Sequence, residues 1–305
     1  MAQRPSGTVA TSKRFARERV KLVDLDQRPE LISATLAAFA ACPPGKHHLV
    51  CGLPASMGQV PTALDLMQTS GVMLACSATD LLGAIALCPY SDEQVTLWGP
   101  AVSGDGLNNL TIPERLVNEA RKALKESGYT SVRTLVDHRN RELRSFLLAH
   151  GFSAWKDNVI FERSLRGELP GDSQVRPTTA KDHSAVSALI AEAFPETGHL
   201  APSLATRELE GYRHYVLTGP SGLLGAAAIA GDGRRSWMKL IAISAKQRGK
   251  GLGHRLVAGV IAAEAARGVT HLGLEVLADN LAAVALYTGT GFKKQFTAAI
   301  MTAPL

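Results

Sequence analysis

The stretch Ile241-Ala-Ile-Ser-Ala-Lys-Gln-Arg-Gly-Lys-Gly-Leu-Gly-His254 decides the fold of this chain. An apolar run typical of a strand leads into a loop with three glycines, and a helix is predicted from Leu252 to Ala266. The sequence has no Ser, Thr, Asp or Asn at the helix start that could cap its backbone N–H groups. A bare helix start attracts anions, phosphate above all. An ordinary strand-to-helix turn is the alternative. The predicted phosphate site comprises Arg248, Gly249, Lys250, Gly251, Leu252, Gly253 and His254.

A second block distinguishes this loop from the common nucleotide-binding loops. The chain has no Gly-x-x-x-x-Gly-Lys-Ser/Thr run, and the third glycine of a dinucleotide fingerprint is missing. From Gly273 to Phe292 the chain reads Gly-Leu-Glu-Val-Leu-Ala-Asp-Asn-Leu-Ala-Ala-Val-Ala-Leu-Tyr-Thr-Gly-Thr-Gly-Phe. This block predicts a strand over 271–277, a turn at 278–280 and a following helix. Together the two blocks resemble the GNAT family of N-acetyltransferases over roughly residues 174–305. The resemblance implies acetyl-CoA as co-substrate.

The chain contains an internal repeat. Gly151-Phe152 falls on Gly291-Phe292, an offset of 140 residues, and a turn-rich stretch at 166–173 separates the two copies. The resemblance implies an α+β fold of two tandem domains. Each domain is expected to be a mixed, mostly antiparallel twisted sheet flanked by helices on both faces, a three-layer αβα arrangement. The predicted segments are a basic arm at 1–17, a degenerate GNAT-like domain at 18–168 and a catalytic GNAT domain at 169–305.

The first copy lacks the residues that would bind the same ligand. Thr111-x-x-Glu114 reads as a capping box that closes the helix start, and Pro113 has no backbone N–H to donate. We therefore expect the first copy to be a lid, a wall of the substrate cleft or a built-in partner. The aligned replacements are Leu147 for Tyr287, Leu135 for Glu275 and Leu143 for Ala283.

The family resemblance implies how acetyl-CoA binds. Its pyrophosphate would lie on the amides of residues 249–254, and its pantetheine arm would lie between two splayed parallel strands. The expected contacts of the arm are the backbone of Ile241 and Ile243, the side chain of Asn280 and the space beside Ala283. Asn280 also fits an ordinary helix N-cap, and the two roles are compatible.

Tyr287 matches the position of the family's usual proton donor. It follows Asn280 by seven residues, which is two helical turns along one face, so its hydroxyl is expected to reach the departing thiolate. The alternative is a half-buried packing role, which is common for a tyrosine on a helix.

Glu275 is the candidate for the base that takes a proton from the attacking amine. Its Leu-Glu-Val run resembles the ribosomal-protein N-terminal alanine acetyltransferases, which use this glutamate as base. Other family members carry a glutamate on the fourth strand, where this chain has Trp237. A structural ion pair between Glu275 and Lys239 is the alternative. His199 and His214 are further candidates for the base.

Composition limits the other function classes. The chain has 305 residues, of which 46% are hydrophobic, enough to fill two cores. It has no apolar run of about 18 residues and no signal-peptide core, so we expect a cytoplasmic protein without a membrane partner. The net charge is +6, and six Lys and Arg residues against one Glu fall within residues 1–21. We interpret this basic segment as a solvated arm rather than a nucleic-acid binder.

The four cysteines all lie in the first half. Four neighbouring Cys and His residues are possible zinc ligands, but their spacing departs from that of zinc sites, so no metal is expected. Because residues 170–305 contain no cysteine, no acetyl-cysteine intermediate can form within that domain. Direct attack in a ternary complex is therefore predicted. The four possible ligands are Cys42, His47, His48 and Cys51.

The sequence predicts a reaction type and leaves the acceptor open. The leading hypothesis is an acetyl-CoA-dependent N-acetyltransferase that acts on a small-molecule amine or a peptide N-terminus. A non-catalytic acyl-CoA sensor or scaffold is the alternative from another class. The tandem architecture also resembles mycothiol synthase, which acetylates a small amino-sugar substrate. Segments 195–214, 231–234 and 41–73 are expected to select the acceptor, and either a monomer or a homodimer fits the sequence.

Overall fold

The computed structural model describes residues 19–25, 27–40, 48–49, 69, 71–76, 81–102, 111–167, 171–195, 203–209, 211–220, 222–231 and 233–305. The basic arm, the zinc candidates Cys42, His47 and Cys51, and His199 lie outside these residues, so the predictions for them stay predictions. Within the described ranges, no helix is long and apolar enough to cross a membrane. No cluster of metal-ligating side chains is found in the same ranges.

The first half of the chain builds seven strands and three α-helices within its described residues. Its largest helix, Thr111–Glu126, buries Leu116, Val117, Ala120 and Leu124, and this spacing of three or four residues gives it one apolar face. The strands are β1 (Arg19–Val23), β2 (His48–Leu49), β3 (Val72–Cys76), β4 (Leu81–Pro89), β5 (Gln94–Val102), β6 (Ser131–Asp137) and β7 (Ser153–Ser164). The helices are α1 (Ile32–Ala40), α2 (Thr111–Glu126) and α3 (Arg141–Ala149).

The second half repeats this order of elements. Its strands are β8 (Val175–Pro177), β9 (Arg213–Gly219), β10 (Gly222–Ala230), β11 (Arg235–Ile243), β12 (His271–Leu277) and β13 (Lys293–Pro304). Its helices are α4 (His183–Ala193), α5 (Leu204–Leu209), α6 (Leu252–Ala266) and α7 (Leu281–Gly289). The bounds of β6, α3 and β7 differ from those of β12, α7 and β13 by 140 residues. The internal repeat is therefore confirmed.

The described strands form one continuous sheet. Its order is β1-β3-β4-β5-β6-β13-β7-β12-β11-β10-β9-β8, and β2 pairs with β6 beside this path. Only the pairs β5–β6 and β11–β12 are parallel among the described strands. Helices cover both faces, since Met73 and Leu74 of β3 point into different hydrophobic clusters, one under α2 and one under α1. The predicted fold class, α+β with a mostly antiparallel sheet between helices, is confirmed.

The two halves exchange their last strands. Residues 298–304 of β13 pair with β6, and residues 158–164 of β7 pair with β12. β7 and β13 also pair with each other in the middle of the sheet. As a result, Val159 and Phe161 of the first half lie in the hydrophobic core of the second half, together with Tyr287. The sequence predicted one sheet in each domain, whereas the exchange joins the two sheets into one.

Candidate active site

The glycine loop before α6 leads to an uncapped helix start. Gly249 has a φ of 78° and Gly251 a φ of 73°, in the left-handed region that favours glycine. Gly251 precedes the helix, and no side chain caps it. The hydrogen bond from Arg255 N to Gly251 O, at 3.3 Å, begins the backbone ladder, so the N–H groups of residues 252–254 lie ahead of it. Backbone N–H groups at an uncapped helix start can bind an anion.

The basic side chains of the loop contact the protein itself. Arg248 Nε donates to Ile243 O at 3.1 Å, and Lys250 Nζ donates to Gln247 Oε1 at 2.9 Å. The Arg248 bond ties the loop to the end of β11. It also occupies the carbonyl of Ile243, one of the backbone groups that the sequence assigned to the pantetheine arm. The remaining N–H groups of the exposed guanidinium can still point toward a ligand.

Close contacts join the loop to α7. A Cβ at Gly253 would lie 3.2 Å from Leu286 Cδ2, and one at Gly289 would lie 3.0 Å from His254 Nε2. The two helices therefore approach each other through glycines. Leu286 precedes Tyr287, so the loop and the predicted proton donor are held by the same contact between helices.

The strands β11 and β12 separate into a fork. Their pairing ends at Met238 and Leu274, although the strands continue to Ile243 and Leu277. Ile241 and Ile243 lie on the separated part of β11, and their contact with the pantetheine arm stays a prediction. An extended, amide-rich arm fits such a gap because it can pair with the exposed strand edge.

A bulge in β11 coincides with the fork. Met238 lies opposite Ile229 and Leu240 opposite Ala228, which makes Lys239 the extra residue of β11. A bulge bends its strand and increases the local twist. The bulge therefore turns residues 239–243 away from β12 and opens the fork.

Tyr287 is buried beside the fork. Its side chain is 6% exposed, and its ring centroid lies 6.4 Å from that of Phe161 and 5.8 Å from that of Phe292. Burial raises the pKa of Tyr287 to about 12. The phenol therefore keeps its proton at neutral pH, as a proton donor must. The packing role and the donor role are both compatible with this position.

Glu275 is the first residue of β12 beyond the last pair with β11. Its neighbours Leu274 and Val276 contact the core under α6 and α7, so its side chain points to the opposite face of the sheet. Asn158 Nδ2 donates a hydrogen bond of 3.2 Å to Glu275 Oε2. The ion pair with Lys239 that the sequence offered stays a prediction, and the contact with Asn158 was not predicted. The signal was an asparagine directly before the apolar residues Val159–Phe161 of β7, aligned with Ala298 in the other copy.

Asn280 caps α7 and remains exposed. Its Oδ1 accepts a hydrogen bond of 3.2 Å from Ala283 N, so the N-cap role is present. The equivalent Asn140 caps α3 at 3.1 Å but is only 3% exposed. Helix α7 buries Tyr287 alone, whereas α3 buries Leu143, Phe146 and Leu147. The positions of the buried Leu143 and Phe146 are occupied in α7 by the partly buried Ala283 and Leu286.

The histidine alternatives do not join this arrangement in the described residues. His214 lies on β9, two strands from β11, and its side chain is 1% exposed. Its Nδ1 lies 3.5 Å from Glu208 Oε1. Burial, the largest effect, lowers the pKa of His214.

The first half contains an equivalent fork with a strand inside it. β5 and β6 pair only over residues 94–96 and 131–133 before they separate. β2 pairs with β6 beyond this point, at Leu135 and Val136, and also approaches β5. Pro100 stands where the second copy has Ile241, because Ala101 and Ala242 pair with the equivalent Ala84 and Ala226. A proline has no N–H to offer a ligand.

The helix α2 differs slightly from the predicted capping box. It begins at Thr111 itself, so Thr111 is the first helical residue rather than the residue before the helix. Glu114 Oε1 lies 4.0 Å from His150 Nε2. Pro113 is buried in the first turn, as its lack of an N–H allows.

Fold and site together define a class of protein: two copies of one α+β unit, with a glycine loop and an open fork in the second copy. The sequence model of the acetyltransferase (GNAT) family matches residues 184–292, a segment that runs from α4 past Tyr287. Residues 184–292, in the C-terminal half, therefore carry the sequence pattern of the GNAT family of acetyltransferases. No curated protein matches the sequence.

Solved structures share the fold over nearly the whole chain. A GCN5-related N-acetyltransferase from Sphaerobacter thermophilus has a TM-score of 0.72 at 14% identity, and the match covers 94% of this chain and 95% of that one. A tandem GNAT protein from the clavulanic acid biosynthesis pathway, solved without acetyl-CoA, has a TM-score of 0.71 at 15% identity, with 94% and 98% coverage. A glucosamine N-acetyltransferase region of a fungal multi-domain beta-N-acetylglucosaminidase has a TM-score of 0.69 at 14% identity, with 98% and 39% coverage. These similarities establish a tandem GNAT architecture for the fold.

Proposed function

We propose that this chain is an acetyl-CoA-dependent N-acetyltransferase with one working site, in its C-terminal half. The acceptor is a primary amine, which attacks the thioester directly while both substrates are bound. The main support is the fork between β11 and β12, which opens beside the uncapped start of α6. Both features lie in the segment that matches the acetyltransferase family.

The loop fits the diphosphate of CoA. The N–H groups of residues 252–254 precede the helix ladder, and Arg248 and Lys250 add positive charge. Each charge-assisted hydrogen bond contributes about 1.5–3 kcal/mol. The pantetheine arm fits along residues 239–243, where β11 has left β12. Asn280 and Ala283, in the first turn of α7, are the side chains proposed to contact the arm.

The fork connects the two proposed catalytic side chains. Tyr287 lies on the α6–α7 side of the sheet, and Glu275 lies on the other face. An acetyl group that enters through the fork from the α6 side would meet the acceptor on the face of Glu275. This arrangement supports separate entry of the two substrates and a ternary complex.

In the proposed reaction, the amine nitrogen attacks the carbonyl carbon of the thioester. A C–N bond forms, the C–S bond breaks, and Glu275 accepts the proton that the nitrogen loses. The sulfur leaves as a thiolate and takes the phenolic proton of Tyr287. A backbone N–H on the separated part of β11 polarises the carbonyl oxygen. Solvent then returns the proton from Glu275 to the Tyr287 phenolate.

The first half has a non-catalytic role in this proposal. β2 lies in its fork, and apolar side chains stand at the positions of both catalytic residues. The aligned Leu135 and Leu147 are 1% exposed each, so the space is filled. The first half instead contributes β7 to the core around Tyr287. Of the three roles considered, a built-in partner fits this contribution best.

Release of CoA tests the proposed function. Wild-type protein is incubated with acetyl-CoA and a panel of amines, peptides with free N-termini and amino sugars. Glucosamine is included because a protein of similar fold is described as a glucosamine N-acetyltransferase region. At least one acceptor should release CoA in a 1:1 ratio with acetylated product. Tight acetyl-CoA binding without turnover across the panel would favour a sensor or scaffold.

A further inference from the structure

We propose that Asn158, supplied by the first half of the chain, is the positioning residue for the catalytic base Glu275. This inference rests on the proposed function, because it assumes that Glu275 is the base. Asn158 does not touch the reacting atoms in this account. It acts through the carboxylate that it holds.

The contact is a partly buried hydrogen bond between the two halves. Asn158 Nδ2 lies 3.2 Å from Glu275 Oε2, and Asn158 is only 6% exposed. In the ladder between β7 and β12, Asn158 is opposite Leu277 and Ile160 is opposite Glu275. Asn158 is therefore the diagonal neighbour of Glu275 on the same face of the sheet.

The equivalent strand pair in the first half shows whether the fold needs this polar pair. Leu135 and Ala298 occupy the equivalent positions where β6 meets β13. They are 1% and 0% exposed and belong to one hydrophobic cluster. The same strand crossing is thus built from a leucine and an alanine in the half that lacks the proposed chemistry. Packing alone does not require an asparagine at position 158.

The polar pair fits a requirement of catalysis. A glutamate side chain has several rotamers, and fixing it in one of them costs conformational entropy. A hydrogen bond from a buried donor limits these rotamers before the substrate binds. Asn158 is itself held by strand pairing on both sides, to β12 and to β13. A donor on a rigid strand can therefore fix the position of one carboxylate oxygen.

The position of Glu275 in β12 explains why its side chain needs support from Asn158. It is the first residue past the last β11–β12 pair, so the ladder to β11 no longer restrains its backbone. The remaining ladder is to β7, the strand that carries Asn158. The exchanged strand therefore supports the base from the side opposite the fork. The substrate face of the C-terminal half is incomplete without it.

A double-mutant cycle on the full-length chain tests the proposal. The variants are Asn158→Ala, which copies Ala298, and Asn158→Asp, which keeps the shape but removes the donor. Each is made alone and together with Glu275→Gln. In the wild-type background both should lower kcat about tenfold or more and leave the KM for acetyl-CoA unchanged. In the Glu275→Gln background neither should lower kcat further.

A matched control separates this effect from a general loss of contact between the halves. Lys156, two residues earlier on β7, donates 2.8 Å to Asp279 Oδ2 in the second half. Lys156→Gln also removes a contact between the halves. It should reduce kcat only slightly, and by the same factor in the wild-type and Glu275→Gln backgrounds. Thermal unfolding confirms that each variant folds, and if the alanine variant does not fold, the aspartate series decides the result.

The outcomes distinguish this inference from the proposed function. Equal losses from Asn158→Ala in both backgrounds would show a merely structural residue and overturn the inference. Wild-type kcat for Asn158→Asp would also overturn it, with the proposed function intact. Full activity of Glu275→Gln would remove the assigned base and this inference together. If the wild-type protein released no CoA with any amine of the panel, the proposed function itself would be overturned.

Discussion

Tyr287 and Leu147 occupy equivalent positions in the two copies, on α7 and α3, and both side chains are buried. Their exposures are 6% and 1%. A leucine evidently fills this position in a stable helix-to-sheet contact, so burial alone does not explain the phenol. The hydroxyl is present only in the copy with the open fork. This contrast supports the donor role over the packing role.

Substitution of Tyr287 by Phe tests that role. The ring contacts with Phe161 and Phe292 remain, and only the hydroxyl is lost. We expect kcat to fall about a hundredfold, which is within the usual range for a missing general acid. Acetyl-CoA affinity, measured by calorimetry, should be nearly unchanged. An unchanged kcat would show that another group, or solvent, protonates the thiolate.

At the scale of elements, the glycine loop and α6 form a unit. A single side chain placed at the uncapped N-terminus of α6 can occupy the proposed phosphate site. Gly251 has space around it, because a Cβ there would meet nothing within 4 Å. Gly251→Asp places a negative charge at the helix start, where it repels a diphosphate and interacts favourably with the helix. The acetyl-CoA Kd should rise about tenfold or more, as measured by titration calorimetry.

The same helix supplies the control for this variant. Gly268, just past the other end of α6, also has a left-handed φ, of 89°, and also has nothing within 4 Å of an added Cβ. Gly268→Asp therefore carries a comparable backbone strain of about 1–2 kcal/mol. Its acetyl-CoA Kd should equal that of the wild type. Equal Kd increases in both variants would contradict a phosphate site at residue 251.

Local patterns predicted this unit well. The apolar run, the glycines and the missing cap identified β11, the loop and α6 because each signal lies within a few neighbouring residues. The bond from Arg248 to Ile243 was not predicted, since a long side chain can turn either toward a ligand or back to its own strand. β2 was not predicted either, because residues 41–73 show no recognisable pattern.

At the scale of the whole molecule, the sequence did not predict the exchange of β7 and β13. The apolar stretches of the two strands align at an offset of 140 residues, so each matches either partner, β6 or β12. Pairing between distant segments is decided by the assembled sheet rather than by a local pattern. The contact between Asn158 and Glu275 depends on that exchange and was therefore missed together with it.

Expression of the halves separately tests the consequence of the exchange. Without residues 18–168, the second half lacks β7, which pairs with both β12 and β13 and fills the core beside Tyr287. Residues 169–305 alone should show no cooperative thermal transition by circular dichroism. Coexpression of 1–168 with 169–305 should give a folded 1:1 complex. A cooperative transition and full acetyl-CoA affinity for 169–305 alone would contradict this dependence.

The most direct test of the account is the stoichiometry of acetyl-CoA binding to the full-length chain by titration calorimetry. The tandem fold provides two forks, and only the one between β11 and β12 is proposed as a working site. We predict one molecule bound per chain. Two molecules per chain would contradict the account, because the fork that contains β2 would then also bind ligand.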